Sequence, residues 1–311
     1  MSQARMTLLE RLNRLHKSSL RAEVKSKPVH EEEWNESARL LKLGIALGAF
    51  TAMEDFVKSR VVEILLKLNT TSPKSKALPP PLITALTVNA FKAAADRLKH
   101  ASRFSISDPQ KFVLEQAEKI HSLTRGVIVP SHLALANSNS NVSWTVLDDA
   151  LGAFAVEKPA NVVTSLALRI AGGLFKAVDH FEAASELRHK LAHIPFLDIP
   201  QGDVDIHVVT ISKICCAFDL ALSTAASRVV HGTMLASHPI TKSADIKLTF
   251  VEESRGSWRF RTESAKRGKI APDEDAAFQN AEVVATPAHS CVVLRPRDAN
   301  SPCLRWATPF L

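Results

Sequence analysis

An apolar pattern over residues 31–69 leaves few folds open to this chain, because its period is that of a long helix with one buried face. Three consecutive glutamates, at positions 31 to 33, favour a helix N-terminus at its start. The apolar positions are Trp34, Leu41, Ile45, Phe56, Val61, Leu65 and Leu68. We expect one helix here, or two nearly collinear helices, and therefore a protein built from long packed helices.

Helical spacing recurs along most of the chain, so we expect the fold class to be mostly α. Further helices are predicted at residues 82–98, 109–124, 144–154, 159–193 and 203–230. Two stretches break the pattern and are expected to be loops: residues 69–81, with three consecutive prolines, and residues 128–141, which end in a Ser/Asn run. Gly172 and Gly173 interrupt the helix predicted over 159–193, and mark either a kink, a close crossing or only a weak point.

The character of the sequence changes beyond Pro239, where strand signals replace the helical spacing. Strands are predicted at residues 246–251 and 258–262, with weaker candidates at 283–285 and 292–294. We therefore divide the chain into three parts. They are an amphipathic N-terminal helix in residues 1–30, a helical domain in residues 31–235 and a small β-containing C-terminal extension in residues 240–311.

The amino-acid composition excludes few classes of function. The net charge of +7 favours contact with polyanions such as RNA, although a merely soluble basic protein would look the same. The four cysteines include no CxxC pair, which favours reduced thiols and a cytoplasmic location. Residues 1–27 lack the apolar stretch of a secretory signal, and a transit peptide is the alternative reading. The most apolar early run, residues 43–53, is too short to span a bilayer, so no membrane is expected.

A group of charged and titratable side chains closes the helix predicted over residues 159–193. Pro195 disfavours a helical conformation at Ile194, so the helix should end near His193, among carbonyls that lack intrahelical partners. Arg188 precedes it by about one and a half turns and can offer a phosphate two parallel hydrogen bonds. We expect both side chains to face one solvent-reachable crevice, a pairing that suits phosphodiester chemistry.

The run Arg188-His189-Lys190-Leu191-Ala192-His193 resembles the Arg-x4-6-His motif of the HEPN superfamily, and within it the RiboL-PSP-like branch of ribonucleases. The likeness extends over residues 35–232, and His189 stands where many members carry asparagine. The resemblance implies a HEPN-like helical bundle and a metal-independent endoribonuclease of the toxin or antiphage-defence type. It further implies a homodimer that brings two motifs to one cleft, and an antitoxin or other regulatory protein as a partner.

The resemblance also assigns roles to individual residues. His193 would act as general base or acid at the ribose 2′-hydroxyl and the leaving oxygen, while Arg188 would stabilise charge in the transition state. His189 would support them beside the cleft, and Glu54 would orient His193 or pair with Arg188. The alternatives are that Arg188 and His193 merely cap a helix and that Glu54 is a solvated charge.

The remaining candidates concern RNA contacts and metals. Lys190, Arg259 and Arg261 are candidate RNA contacts, the last two beside aromatic residues. The alternative for that region is a solvated hairpin, since runs of charge usually face solvent. Glu186 with the two motif histidines forms a conceivable metal trio, but the zincin pattern requires glutamate where this chain has Lys190. We therefore expect no metal and no cofactor, and keep a non-catalytic helical module that binds RNA or protein as the alternative function.

One decoy shows that the spacing alone is weak evidence. Arg11 and His16 have the same separation as the motif pair but lie in the charged N-terminal helix, without a buried helix or a proline stop. The structural context of Arg188 and His193 therefore decides more than their spacing does.

Overall fold

The computed structural model describes residues 2–71, 78–102, 104, 106–125, 128–131, 133–135, 142–194, 196–231, 240–285, 290–298 and 300–309. They form a mostly helical protein with a small C-terminal sheet, the fold class expected from the sequence. Of the loops predicted at 69–81 and 128–141, residues 72–77, 132 and 136–141 lie outside the described residues, while residues 69–71 and 80–81 are helical and not part of a loop.

Ten α-helices occur in the described part of the chain. They are α1 (Gln3–Ser19), α2 (Glu32–Thr71), α3 (Pro80–Thr84), α4 (Ala90–Lys99), α5 (Pro109–Ser122), α6 (Trp144–Ala153), α7 (Pro159–Ala171), α8 (Ala177–His193), α9 (Gln201–Val230) and α10 (Glu274–Ala285). A π-helical turn, Ala85–Asn89, joins α3 to α4. The helix predicted over residues 31–69 is confirmed as the single helix α2, and the one predicted over 203–230 is confirmed as α9.

Helices α2 and α9 form the centre of the helical core. Helix α9 is buried on every side over most of its length, and α2 turns its apolar stripe towards it. By length and composition α9 could cross a membrane, but 94% of its most apolar window is buried inside the protein. Core helices pass the same test, so this is weak evidence for a membrane span.

Helix α1 covers one side of α2. Its apolar stripe is buried at Leu8 and Leu12. Gly48 of α2 permits this close approach, since a Cβ atom there would lie 3.3 Å from Cδ2 of Leu15. The N-terminal helix is therefore part of the main core.

Two helices, α7 and α8, replace the single helix predicted over residues 159–193. Gly172 and Gly173 have φ angles of 68° and 79°, a conformation that glycine adopts at little cost and that commonly ends a helix. Helix α8 begins four residues later, at Ala177. The glycine pair thus ends one helix and is neither a kink nor a weak point within a continuous one.

Helix α8 ends at His193, as the sequence predicted. Ile194 follows in an extended conformation, with φ of −104° and ψ of 105°, and its N–H donates to the carbonyl of Lys190 over 2.8 Å. This agrees with the restriction that a following proline imposes on the residue before it. Pro195 itself lies outside the described residues.

A buried ionic network joins both ends of the chain to the core. Asp219 on α9 accepts hydrogen bonds from Nε of Arg5 on α1 and Nε of Arg60 on α2, over 2.7 and 2.6 Å. The indole N–H of Trp306, near the C-terminus, donates to the same carboxylate over 2.8 Å. Arg60 also contacts Glu63. Four segments that are distant in sequence therefore meet at one carboxylate.

A five-stranded sheet in the order β3-β2-β1-β4-β5 follows the helices. Strands β1 and β4 are parallel, and the other neighbouring pairs are antiparallel. The strands are β1 (Leu248–Ser254), β2 (Ser257–Thr262), β3 (Lys269–Ala271), β4 (Cys291–Leu294) and β5 (Trp306–Ala307). The predicted strands at 246–251, 258–262 and 292–294 are confirmed within a few residues.

The strand predicted at residues 283–285 is wrong, because these residues belong to helix α10. Asp273 caps that helix by accepting a hydrogen bond from the N–H of Ala276 over 2.8 Å, and acidic residues fill its first turn. These start signals outweigh the local β preference of Val283 and Val284.

The sheet lies between α10 and the helical core. On one face, Val251, Phe260 and Val292 pack against α10. On the other face, Phe250 and Val293 belong to the same core as the helices. The four cysteines, which are free and buried, lie in this region or on α9. The C-terminal part therefore packs directly on the helical body.

Candidate functional site

Antiparallel packing of α8 against α2 positions the predicted motif. Near the start of α8, the ring centroid of Phe181 lies 5.9 Å from that of Phe50 on α2. Beyond the end of α8, Asp198 pairs with Nζ of Lys42, which precedes Phe50 by about two turns of α2. The last turn of α8 therefore lies beside the first half of α2.

Two imidazoles occupy the exposed side of the last turn of α8. His189 and His193 are four residues apart and so lie on one side of the helix. Their ring centroids are separated by 4.5 Å and their planes are tilted by 53°. Both side chains are exposed. The structure thus brings the predicted catalytic histidine and the predicted supporting histidine together at the helix terminus.

Arg188 belongs to a different side of α8. Together with Phe181, Ala184 and Leu191 it follows the helical spacing of the side that faces the body; those three are buried, and Arg188 is half-buried. With 3.6 residues per turn, Arg188 and His193 leave the helix about 140° apart. The two side chains therefore leave one α8 helix on different sides, whereas we expected both to face one crevice.

Lys190 is exposed and already has an anionic partner. Its Nζ lies 2.7 Å from Oε1 of Glu186, one turn earlier on the same helix. The hydrogen bond from Lys190, followed by its charge, lowers the pKa of the Glu186 carboxyl. An RNA phosphate would have to compete with this carboxylate for Lys190.

The segment after α8 adds an aromatic residue that the sequence analysis missed. Phe196 has a φ angle of 64°, a conformation that is uncommon for residues other than glycine, and it is 82% exposed. The guanidinium carbon of Arg39, on α2, lies 5.6 Å from its ring centroid. Arg39 is in turn held by Glu36 through two hydrogen bonds. The contact joins residues that are distant in sequence, so no local pattern signals it.

Glu54 does not join the motif. Its carboxylate is buried, and Oε1 accepts a hydrogen bond from the N–H of Val142 over 2.8 Å, next to the start of α6. The antiparallel packing puts Glu54 near the beginning of α8, whereas Phe181 and His193 are separated by about 18 Å along the helix. The structure corrects the role expected for Glu54: its carboxylate holds the chain that enters α6.

Arg259 and Arg261 are also placed differently from the expected RNA contacts. Both are half-buried, and Arg261 lies directly opposite Phe250, whose side chain packs towards the helical core. Nε of Arg261 donates to Glu252 over 2.9 Å. Nε of Arg259 is buried without a hydrogen-bond partner among the described residues. Arg261 is thus held by a carboxylate within the sheet, and an RNA phosphate would have to compete with Glu252 for it.

Two sizeable cavities lie elsewhere on the described part of the protein. One, of about 720 Å³, lies between α7 and the β1–β2 region and includes Ser165, Arg169 and Glu263 among its lining residues. The other, of about 930 Å³, includes Trp258 and Arg295. Neither of these two cavities contains a residue of α8.

Metal-binding groups are limited in the described residues. No set of three or more His, Cys, Asp or Glu side chains is arranged there to hold a metal ion. The most prominent imidazole pair is that of His189 and His193. A metal at this place would therefore have two protein side chains as ligands and would complete its coordination with solvent.

Comparisons with known proteins add no further assignment. No protein-family model, no curated protein and no solved structure matches the chain. The functional argument therefore depends on the residues and their geometry.

Proposed function

We propose that this protein is a metal-independent endoribonuclease with a HEPN-like helical bundle, in which Arg188 and His193 act at a cleft completed by a second copy of the chain. The observation that carries the proposal is the exposed His193 in the last turn of α8, five residues after a half-buried Arg188. The spacing and the helix end are those of the Arg-x4-6-His ribonuclease motif. A cytoplasmic setting and a regulatory partner such as an antitoxin belong to the same proposal.

The chemistry needs two proton transfers and one stabilised charge. A base removes the proton of the ribose 2′-hydroxyl, the 2′-oxygen attacks phosphorus, and the bond to the 5′-oxygen breaks as an acid protonates it. His193 and the neighbouring His189 can divide these two transfers, since their rings are 4.5 Å apart. Arg188 would stabilise the additional negative charge on the phosphoryl oxygens. The products are a 2′,3′-cyclic phosphate and a 5′-hydroxyl.

A second copy of the chain would supply the arginine that one α8 helix does not place beside its own His193. Since Arg188 and His193 leave the helix about 140° apart, a phosphate beside one His193 is better reached by the Arg188 of another copy. The same end of the molecule exposes apolar side chains that a partner could remove from water: Leu40, Ile194 and Phe196. The exposed apolar side chains thus suit a dimer contact, and the net positive charge of the chain suits RNA binding.

The alternative is a non-catalytic helical module that binds RNA or protein. One observation favours it, namely the different directions of Arg188 and His193 on a single helix. In this case the two side chains would only contact helix-terminal carbonyls and neighbouring carboxylates.

Cleavage of total RNA or transfer RNA by the purified protein separates the two functions. We expect chelator-resistant cleavage with cyclic-phosphate ends, and a rate at least about 100-fold lower after Arg188→Ala or His193→Ala. Arg11→Ala and His16→Ala are matched controls, because they remove the same residue types at the same spacing from α1. Binding of RNA without cleavage by the unaltered protein would instead establish the module.

A further inference from the structure

The imidazole pair at the end of α8 has a separation that suits a metal ion. With metal–nitrogen bonds of about 2.0 Å and a ring centroid about 1.1 Å behind the nitrogen, two imidazoles at 90° around one metal have centroids about 4.4 Å apart. At the tetrahedral angle the same distance is about 5.1 Å. The centroids of His189 and His193 are 4.5 Å apart. The rings are therefore as close as two ligands of one metal ion would be, so rotation of the side chains can direct one nitrogen of each to a shared ion.

The helix holds both rings ready for such a metal. His189 and His193 lie on one exposed side of a continuous helix, so only side-chain rotations are needed to bring two nitrogens together. Neither ring has a hydrogen bond to another described residue that would have to be broken. Because the backbone is already ordered, little conformational entropy is lost on binding.

The charges around the pair do not oppose a cation. Lys190, which lies between the two histidines in sequence, is paired with Glu186 at 2.7 Å. Glu186 lies on the same side of α8 as the imidazoles, and its ion pair with Lys190 leaves no net positive charge there. Arg188 leaves the helix on the side that faces the body. Lys190 therefore contributes little repulsion against a metal ion at His189 and His193.

We infer that His189 and His193 form a two-imidazole site for a divalent transition metal, with Cu²⁺ bound more tightly than Ni²⁺ or Zn²⁺ in accordance with the general order of affinities. A metal-bound imidazole nitrogen cannot exchange a proton, so the metal inhibits cleavage. The binding stands on the geometry of the two rings, whereas the inhibition rests on the proposed nuclease function.

The binding is tested by titrating the full-length protein with Cu²⁺, in competition with a chelator of known affinity, and by electron paramagnetic resonance of the bound ion. We expect hyperfine coupling to two imidazole nitrogens. His189→Ala should weaken binding at least about tenfold, since loss of even an outer contact to a metal ligand has this effect. His121→Ala, which removes a lone exposed histidine from α5, is the control and should leave the site unchanged. Equal Cu²⁺ affinity in the His189→Ala and unaltered proteins would overturn the inference.

The inhibition is tested separately, as the ratio of RNA cleavage with and without metal for the unaltered protein and for the His121→Ala control. Micromolar Cu²⁺ or Ni²⁺ should inhibit both proteins reversibly, with half of the activity lost at the metal concentration that half-fills the site and activity restored by chelator. Two-nitrogen coupling without any cleavage activity would refute the nuclease and leave the metal site standing. Cleavage that is insensitive to metal in a protein with an occupied site would overturn the inhibitory role.

Discussion

Arg60 and Asp219 form an ion pair in which both side chains are fully buried, with 2.6 Å between Nε and Oδ1. Arg5 contacts the other carboxylate oxygen from α1. Burial by itself raises the pKa of Asp219, but the charges and hydrogen bonds of Arg5 and Arg60 lower it by a larger amount, so the net pKa is below the ordinary value of 3.8. With Glu63 beside Arg60, the cluster holds two cations and two anions. It therefore anchors the N-terminal helix without burying a net charge.

Removing the central carboxylate should destabilise the protein strongly. Asp219→Ala leaves two buried guanidinium groups with one fewer anion, and the expected loss in the free energy of unfolding is about 3–5 kcal/mol. The measurement is urea unfolding followed by circular dichroism. Asp55→Ala breaks an exposed pair with Arg11 and is the matched control, with an expected loss below about 1 kcal/mol. Similar losses in the two variants would show that the buried network is not a principal anchor.

The same pair predicts a dependence of stability on acid. Because the pKa of Asp219 is lowered in the folded protein, its contribution to stability is complete above 3.8, the ordinary value, and is lost as the pH falls below it. We therefore expect the difference in unfolding free energy between the unaltered protein and Asp219→Asn to be constant near neutral pH and to narrow below about pH 4. Urea unfolding at a series of pH values measures it. If this difference in unfolding free energy instead grew as the pH fell, the pKa of Asp219 would not be lowered in the folded protein.

The buried His207 should make the stability of the protein depend on pH in a second range. Burial lowers its pKa from 6.5 to about 4, although a hydrogen bond to the carbonyl of Ala46 acts in the opposite direction. The ring is thus neutral in the folded protein and becomes protonated first in the unfolded chain. Stability should fall as the pH drops from 6.5 towards 4, by about 3 kcal/mol in total. The unfolding free energy of His207→Gln, measured at the same pH values, should lose most of this dependence on pH. An unchanged dependence would mean that other groups cause it.

Two glycines should respond to alanine in opposite ways. Gly44 lies inside α2, with no atom within 4 Å of the position that a Cβ atom would occupy, so Gly44→Ala should stabilise the protein by about 0.5–1 kcal/mol. Gly172 has a φ of 68°, which alanine adopts only with strain, so Gly172→Ala should destabilise it by about 1 kcal/mol. Thermal unfolding compares both variants with the unaltered chain. A stabilised Gly172→Ala protein would show that α7 can continue past its observed end.

Local patterns predicted the helices well where one face is buried. Helix α2 follows from its apolar spacing, and the end of α8 follows from the proline after Ile194. The direction of Arg188 was also within reach of the sequence, because Phe181, Ala184 and Leu191 lie seven and four residues before it and three after it. Helix α10 had a readable start signal in Asp273, which the valines near its end obscured.

Long-range contacts could not be predicted in this way. The meeting of Arg5, Arg60 and Asp219 depends on how α1, α2 and α9 pack, and nothing local marks these three residues as partners. Glu54 illustrates the same limit for the site: its helix was predicted, but only the antiparallel packing of α2 and α8 shows that it lies at the wrong end to serve His193.

A mixture of inactive variants tests whether the catalytic pair comes from two chains. If Arg188 of one copy acts with His193 of another, Arg188→Ala and His193→Ala are each inactive, but a mixed dimer retains one site with both side chains. Random assortment makes half of the dimers mixed, each with one intact site of two, so co-refolded protein should recover about a quarter of the unaltered activity.

The recovery follows from the geometry of α8. Two side chains that leave one helix about 140° apart cannot readily bind the same phosphate from one side, whereas a second copy related by a two-fold axis can place its Arg188 beside His193 of the first. Each variant refolded alone is the control and should remain inactive. Activity that stays at the level of these controls after mixing, in a sample shown to contain mixed dimers, would place both residues of a working pair on the same chain.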